Sequence, residues 1–301
     1  MPKLMNVLFT TIAVFALRAA GAAEIEPEAY WDLGLGIGAV SFEHYPASNE
    51  IWTLAIPAPT FQYRGKILRA DDRDGAHLYL YKGDKITTEL AGQGTPALSN
   101  SDSAARKGMQ DLPWMVALGP QTVYRLSSSI EIAGGVYQAV TTDLKTGQTA
   151  GNIAEGRATY SWMFPFDKTW PFSEAGYSTG KLTFSVNAAT ADNLAIYFEV
   201  PSAAATADRP AYEARAGLLS RSISYYQSFK SGRASIYLGS ALKSYDVSAN
   251  RGSPLHKSDN NLVAFFGLNY TLTESEKPAV LKEDTSGLLD GLRNRLLRDR
   301  F

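Results

Sequence analysis

The sequence predicts an all-β protein: an antiparallel transmembrane β-barrel of the outer-membrane type with a short helical tail. Three observations predict it. Large apolar residues alternate with small or polar ones, period two, along segment after segment. After residue 23 there is no apolar run of the roughly 20 residues that a spanning helix needs. The chain also opens with the layout of an export signal. Composition agrees, since 16 Tyr, 13 Phe and 25 Gly with only 20% charged residues suit strands and tight turns.

Residues 1–23 read as a secretory signal peptide. Lys3 supplies the positive start, residues 4–17 the apolar stretch, and Ala19-Ala20-Gly21-Ala22-Ala23 the small-residue cleavage site. Arg18 sits unusually late for such a signal. Cleavage after Ala22 or Ala23 leaves a mature chain that begins near Glu24. The absence of cysteine fits a chain that crosses the periplasm without forming disulfides, and it excludes a thiolate metal site or a cysteine nucleophile.

Residues 24–275 carry the alternation. In the first segment Trp31, Leu33, Leu35, Ile37 and Ala39 face one way, and Asp32, Gly34, Gly36 and Gly38 the other. The period returns in 129–141, 181–188, 234–245 and 262–272. Turn-forming runs separate the segments, among them Tyr45-Pro46-Ala47-Ser48-Asn49, Asp71-Asp72-Arg73-Asp74-Gly75, Lys82-Gly83-Asp84, Lys145-Thr146-Gly147, Lys230-Ser231-Gly232 and 250–254. Ten to twelve strands of roughly 8–13 residues result, long enough to cross a bilayer at a tilt. A soluble secreted sandwich also alternates, with one face buried and one wet. The aromatic residues at segment ends (Tyr30-Trp31, Trp52, Tyr124, Trp162, Tyr225-Tyr226, Tyr245, Phe265-Phe266, Tyr270) and the Gly, Ser, Thr and Asn on the opposite face favour the barrel.

Several short motifs then line up with a known family. They are Glu43-His44-Tyr45-Pro46-Ala47-Ser48, Pro57-Ala58-Pro59 with Tyr63-Arg64-Gly65 and Leu68-Arg69-Ala70, and Ala105-Arg106-Lys107-Gly108-Met109-Gln110-Asp111-Leu112 with Leu118-Gly119-Pro120. In the second half they are Tyr197-Phe198-Glu199-Val200, Arg209-Pro210-Ala211-Tyr212-Glu213-Ala214, Ser253-Pro254-Leu255 and Phe265-Phe266-Gly267-Leu268-Asn269-Tyr270. This ordered set, over residues 30–273, resembles the MipA/OmpV family of Gram-negative outer-membrane proteins, the MltA-interacting proteins. Ala47 stands where that family usually has glycine. The resemblance implies a twelve-stranded outer-membrane barrel without enzymatic activity. It also implies a structural or scaffold role in the cell envelope, which in some members links murein-synthesis and murein-hydrolysis enzymes. The partners it implies are outer-membrane lipid and periplasmic murein-processing proteins.

No catalytic, cofactor-binding or metal-ligating residue is assigned. Gly34-Leu35-Gly36-Ile37-Gly38-Ala39 matches a dinucleotide fingerprint in letters only, because strand and turn follow it where a helix is required. Small inward residues easing a curved wall explain it better. The aspartates of Asp71-Asp72-Arg73-Asp74-Gly75 lack the spacing of a calcium loop and read as a solvated turn. His44 lies near Ser41 and Ser48, and His256 near Ser253 and Ser258, but hydrolase chemistry needs such pairs at matched positions on the wall. His77 has no such neighbour, and three scattered histidines make a poor zinc site. The charge balance of 29 basic and 30 acidic residues argues against nucleic acid as a partner. The loop around Met109 and Trp114 either folds into the barrel mouth or docks a partner.

Residues 276–301 read as a periplasmic tail. Leu288, Leu289, Leu292, Leu296 and Leu297 recur at helical spacing, opposite four arginines and two aspartates. About 15 residues make a marginal helix alone and suit contact with anionic lipid or a periplasmic partner. A porin-like channel for small solutes is the alternative function. Lumen access separates the two, since an open polar lumen favours transport and a plugged one favours the scaffold.

Overall fold

A computed structural model describes residues 29–71, 75–142 and 146–275. Twelve strands form one closed antiparallel barrel in sequence order, with the last strand returning to the first. They are β1 (Tyr30–Glu43), β2 (Ile51–Arg64), β3 (Leu68–Asp71), β4 (Gly75–Lys82), β5 (Ile86–Thr95), β6 (Trp114–Arg125), β7 (Ile130–Thr142), β8 (Gly147–Phe166), β9 (Gly176–Ala189), β10 (Gly217–Ser231), β11 (Ala234–Ser244) and β12 (Asn260–Glu274). Closure satisfies most of the backbone groups that the edges of an open sheet would leave bare, although among the described residues β2 pairs with β3 only at Tyr63 and Arg64. The strand count matches the upper end of the sequence reading; the lengths do not. β3 has four residues and β8 twenty, because local pattern does not show how far a neighbour continues.

Alternation sorts the two faces as expected. Leu33, Leu35 and Ile37 point outward and are exposed, while Asp32 and Gly34 point into the lumen and are buried. β7 repeats this, with Ile130, Ile132 and Val136 outward and Ala133, Tyr137 and Ala139 inward. The glycines of β1 are wall residues. A Cβ on Gly34 would lie 2.7 Å from the Tyr270 carbonyl and 2.7 Å from Thr60 Oγ1, so the inner wall leaves no room for one.

The two ends differ. Both barrel termini, Tyr30 and Glu274, lie at one end with the connections 65–67, 83–85, 126–129, 167–175 and 232–233, all of four residues or fewer except 167–175. The opposite end, the mouth, gathers the long segments 44–50, 96–113, 190–216 and 245–259. Helix α1 (Ala191–Phe198) lies in the third of these and packs on β8, a helix that the period-two reading did not anticipate. Trp114, read as a loop residue, opens β6. Tyr30 and Tyr245, read as rim aromatics, are buried instead. Each is turned inward to a carboxylate partner, Tyr30 donating to Glu274 Oε2 at 2.5 Å and Tyr245 to Glu43 Oε1 at 2.6 Å. Asp72–Asp74, residues 143–145, residues 1–28 and the tail 276–301 lie outside the described residues, and with them the signal peptide, the amphipathic helix and Lys145 of one expected turn. No described helix is long and apolar enough to cross a membrane.

Candidate functional site at the barrel mouth

The four mouth segments do not extend away from the barrel. They fold inward onto lumen-facing residues of the wall. Leu98, Leu112, Leu194, Phe198, Val200 and Leu255 from the segments bury against Met115, Ala117, Tyr137, Ala139, Ala150 and Ala189 from β6 to β9. Burial on this scale makes the closure a hydrophobic core rather than a set of loose loops. Met109 packs at its margin, so the loop around it folds into the mouth.

Polar side chains lock the segments to one another. Arg106 is buried and donates to the carbonyls of Tyr197 (3.1 Å) and Gln110 (3.4 Å), with its guanidinium 5.7 Å from the centre of the Tyr45 ring. Arg209 donates to the carbonyls of Ala105, Lys107 and Ala204 and so ties 96–113 to 190–216. Asn250 accepts from the Arg215 N–H and donates to the Arg215 carbonyl, both at 2.8 Å, joining 190–216 to 245–259. Ser253 Oγ donates to the Phe198 carbonyl at 2.6 Å. The first segment closes the ring. Tyr45 Oη donates to the Leu255 carbonyl at 2.9 Å, and the Ala47 carbonyl accepts from the N–H groups of Lys257 and Ser258. Ala47 holds φ at +64°, the left-handed region that favours glycine, in the tight turn that presents that carbonyl.

Burial sets the electrostatics. It pushes the phenols of Tyr45 and Tyr197 up to about 12 and holds the Arg106 guanidinium below its usual value. His44 is almost wholly buried, and burial is the largest influence holding its imidazole below the usual 6.5, against an opposing hydrogen bond with the Ser99 carbonyl at 3.2 Å. His44 Nδ1 has no hydrogen-bond partner. His256 Nε2 meets Asp259 Oδ1 at 2.9 Å, and its ring stacks on Phe198. Asp259 is held below the ordinary carboxylate range, first by that contact and then by Arg251. Ser253 spends its hydroxyl on the Phe198 carbonyl, so the nearby Ser and His residues serve the packing of the mouth.

Below the plug the lumen turns polar. Gln121 donates to Glu89 at 2.6 Å and accepts from Tyr137 and Arg157 at 2.7 and 2.9 Å. His77 lies 3.8 Å from Glu89 on the same wall. A cavity of about 590 Å³ is lined by Glu131, Arg157, Lys181, Tyr226, Tyr237 and Phe265, among others. No group of three or more possible metal ligands occurs among the described residues.

The motifs singled out in the sequence meet in this plug. His44-Tyr45-Pro46-Ala47-Ser48, Arg106 to Leu112, Tyr197-Phe198, Arg209 to Ala214 and Ser253-Pro254-Leu255 come from four segments and form one interlocked unit. Sequence reasoning missed as anchors Asn250, Glu43, which accepts from Tyr245, and Asn193, which donates to the Ala150 carbonyl at 3.1 Å. Nothing local distinguishes a buried Asn or Glu from one in a solvated turn.

Comparison with known proteins gives one family and no close curated relative. No curated protein sequence matches the chain. Among solved structures, the chain is similar to OprB of Pseudomonas putida at 10% identity, covering 81% of this chain and 94% of that one, with a TM-score of 0.27. It is similar to LpxR from Salmonella typhimurium at 6% identity, covering 79% and 99%, with a TM-score of 0.31. A FadL homologue from Pseudomonas aeruginosa matches at 8% identity, covering 81% and 90%, also at 0.31. At scores this low these likenesses carry no weight for what the chain does. The profile of the family described as MltA-interacting protein MipA, by contrast, matches residues 35–272, from the first strand to the last and through every segment of the plug. The chain belongs to the MltA-interacting protein MipA family.

Proposed function

We propose that the chain is an exported, non-enzymatic barrel that spans the outer membrane with its mouth facing outward, and that it serves the envelope as a scaffold rather than as a passage. The observation that carries this reading is the interlocked plug, whose apolar core folds into the mouth. The outward face supports membrane placement, with Leu35, Ile37, Leu118, Val136, Phe184 and Leu268 among many large apolar side chains exposed around the wall. Both termini, and four of the five connections at four residues or fewer, lie at the end opposite the mouth, which suits the periplasmic side. The signal-like residues 1–23 and the basic tail 276–301 fit the same orientation. The family description suggests that the periplasmic partner is MltA, a murein-processing protein in our reading.

A channel for small solutes is the second reading, favoured by the 590 Å³ cavity below the plug, whose lining includes Glu131, Arg157 and Lys181. Single-channel recording in a planar bilayer separates the two. The intact protein should show no steady conductance, and removing the Arg106 anchor should open one. Steady conductance from the intact protein would favour the channel.

A further inference from the structure

The lumen wall below the plug carries an aromatic platform beside a row of hydroxyls. On β12 the residues of one parity, Leu262, Phe266, Leu268, Tyr270 and Leu272, face outward, while Asn261, Asn269 and Thr271 of the other parity face inward and are buried. Phe265 shares the inward parity and is nevertheless 37% exposed. Its ring lies along the wall, because its β11 partner Gly239 has no side chain and a Cβ there would stand 2.4 Å from the Phe265 ring. Tyr226, which pairs with Gly239 from the other side, sets its ring 6.0 Å from that of Phe265 at an interplanar angle of 31°. Tyr237 pairs with Gly267, so a glycine stands beside that ring too. Rings from β10, β11 and β12 thus line one cavity.

Beside the rings, register aligns Thr159, Thr183 and Ser224 on β8, β9 and β10, and all three line the same cavity. Thr159 Oγ1 and Thr183 Oγ1 lie 3.1 Å apart. The cations of this wall are already engaged. Arg157 Nη1 donates to Gln121 Oε1 at 2.9 Å and lies 3.8 Å from Glu155 Oε2, and Lys181 has a partner as well. What the cavity offers is therefore ring faces, hydroxyls and the Glu131 carboxylate. On β9 the plug rests on Ala189 and the cavity begins at Thr183, about 20 Å farther along the strand. Glu131 is the second residue of β7, so the cavity extends toward the end that holds both barrel termini.

We propose that this cavity is a binding site for a neutral oligosaccharide that enters from the end opposite the mouth. A pyranose ring has an apolar C–H face bordered by hydroxyls, so it lies on an aromatic face and exchanges hydrogen bonds at its edge. The Tyr226–Phe265 platform takes the face, and Thr183, Ser224 and Glu131 take the hydroxyls. Aromatic walls with a few convergent polar groups are the usual build of a small-molecule site, and a volume of about 590 Å³ lies within the usual range. The site does not depend on whether the barrel conducts, and its test is separate from single-channel recording.

Isothermal titration of the full-length chain in lauryldimethylamine oxide, a detergent without a sugar head, uses maltotriose, cellotriose and chitotriose as probes. At least one should bind one to one with a Kd of about 1 mM or below. Saturation transferred from aromatic protons of the protein should then reach the ring protons of that sugar. Phe265→Ala and Tyr226→Ala should each weaken its binding roughly tenfold. Phe265→Leu keeps the apolar bulk without the ring face and should weaken binding as much, whereas Phe266→Ala on the outward face should leave it unchanged. Heat-modifiable migration on SDS gels reports the folding of each variant, and the saturation-transfer measurement needs no variant at all. Absence of binding by all three sugars, no transfer from aromatic protons, or equal binding by Phe265→Leu would each overturn the proposal. So would tighter binding of trigalacturonate or triglucosamine, which would show that charge rather than the ring faces governs the site.

Discussion

The mouth and the wall hold their shape by different means. In the wall each strand is fixed by its neighbours through a repeating ladder, and a side chain matters mainly through the face it occupies. In the mouth there is almost no ladder, only single bridges such as Leu98↔Leu112 and Val200↔Tyr212. There the backbone carbonyls of Tyr197, Ala105, Lys107, Phe198, Arg215 and Leu255 are satisfied by side chains from another segment. A buried carbonyl stripped of its donor costs about 1–3 kcal/mol, so individual residues carry more of the mouth than of the wall. The lesson is that closing the lumen and closing the barrel are separable properties.

The largest test breaks the mouth alone. Arg106→Ala removes donors from two carbonyls and a cation from the Tyr45 ring, and should cost the plug about 3–5 kcal/mol. Proteolysis should then cut within 96–113 or 190–216 while the barrel still resists SDS. Loss of both together would show that plug and barrel are one cooperative unit.

On the wall, Leu35→Arg places a charge on the outward face and should cost about 2–4 kcal/mol near the bilayer midplane, read from folding into lipid vesicles in urea. Tolerance of that charge would count against lipid on this face. Gly34→Ala should cost about 1–3 kcal/mol in the same measurement, because the new methyl meets the Tyr270 carbonyl. Gly156→Ala should stay within about 0.5 kcal/mol.

Smaller still, Tyr45→Phe strips the donor from the Leu255 carbonyl and should loosen the mouth by about 1–2 kcal/mol, again read from proteolysis. The smallest effect is pH dependence. His44 is held below its usual 6.5 in the closed mouth, mainly by burial, so the open state takes up the proton first. Closure should therefore be unaffected above about pH 6.5 and weaken as pH falls below it. His44→Gln should flatten the profile. An unchanged profile in that variant would place the acid response elsewhere, such as at Asp259, whose depressed titration acts only at lower pH.

Much of the wall was legible because inward and outward residues alternate with a period that any short window displays. Leu33, Leu35 and Ile37 against Asp32 and Gly34 are sufficient to orient β1. The plug was legible only as a set of motifs without a shared purpose. Tyr45, Arg106, Tyr197 and Ser253 are far apart in sequence, and their hydrogen bonds reach across as many as 210 residues, as from Tyr45 to Leu255. The aromatic residues mark the boundary of the method. Tyr270 and Tyr245 both stand at segment ends, and only the neighbours decide that one is exposed outward and the other buried against Glu43.

By itself the sequence determined the β-barrel class, the approximate strand number, the outward face of the strands whose alternation it displays, and the family. These follow from local periodicity and from short motifs kept in order. The tertiary structure alone decided that four distant segments close the mouth, that α1 sits inside it, and that among the described residues β2 pairs with β3 only at Tyr63 and Arg64. Such features depend on which residues become neighbours when the barrel closes. Pro57 and Pro59 stand in the sequence only as part of a motif, and the ladder shows them inside β2, paired with β1 at Ile37 and Leu35 without a register shift.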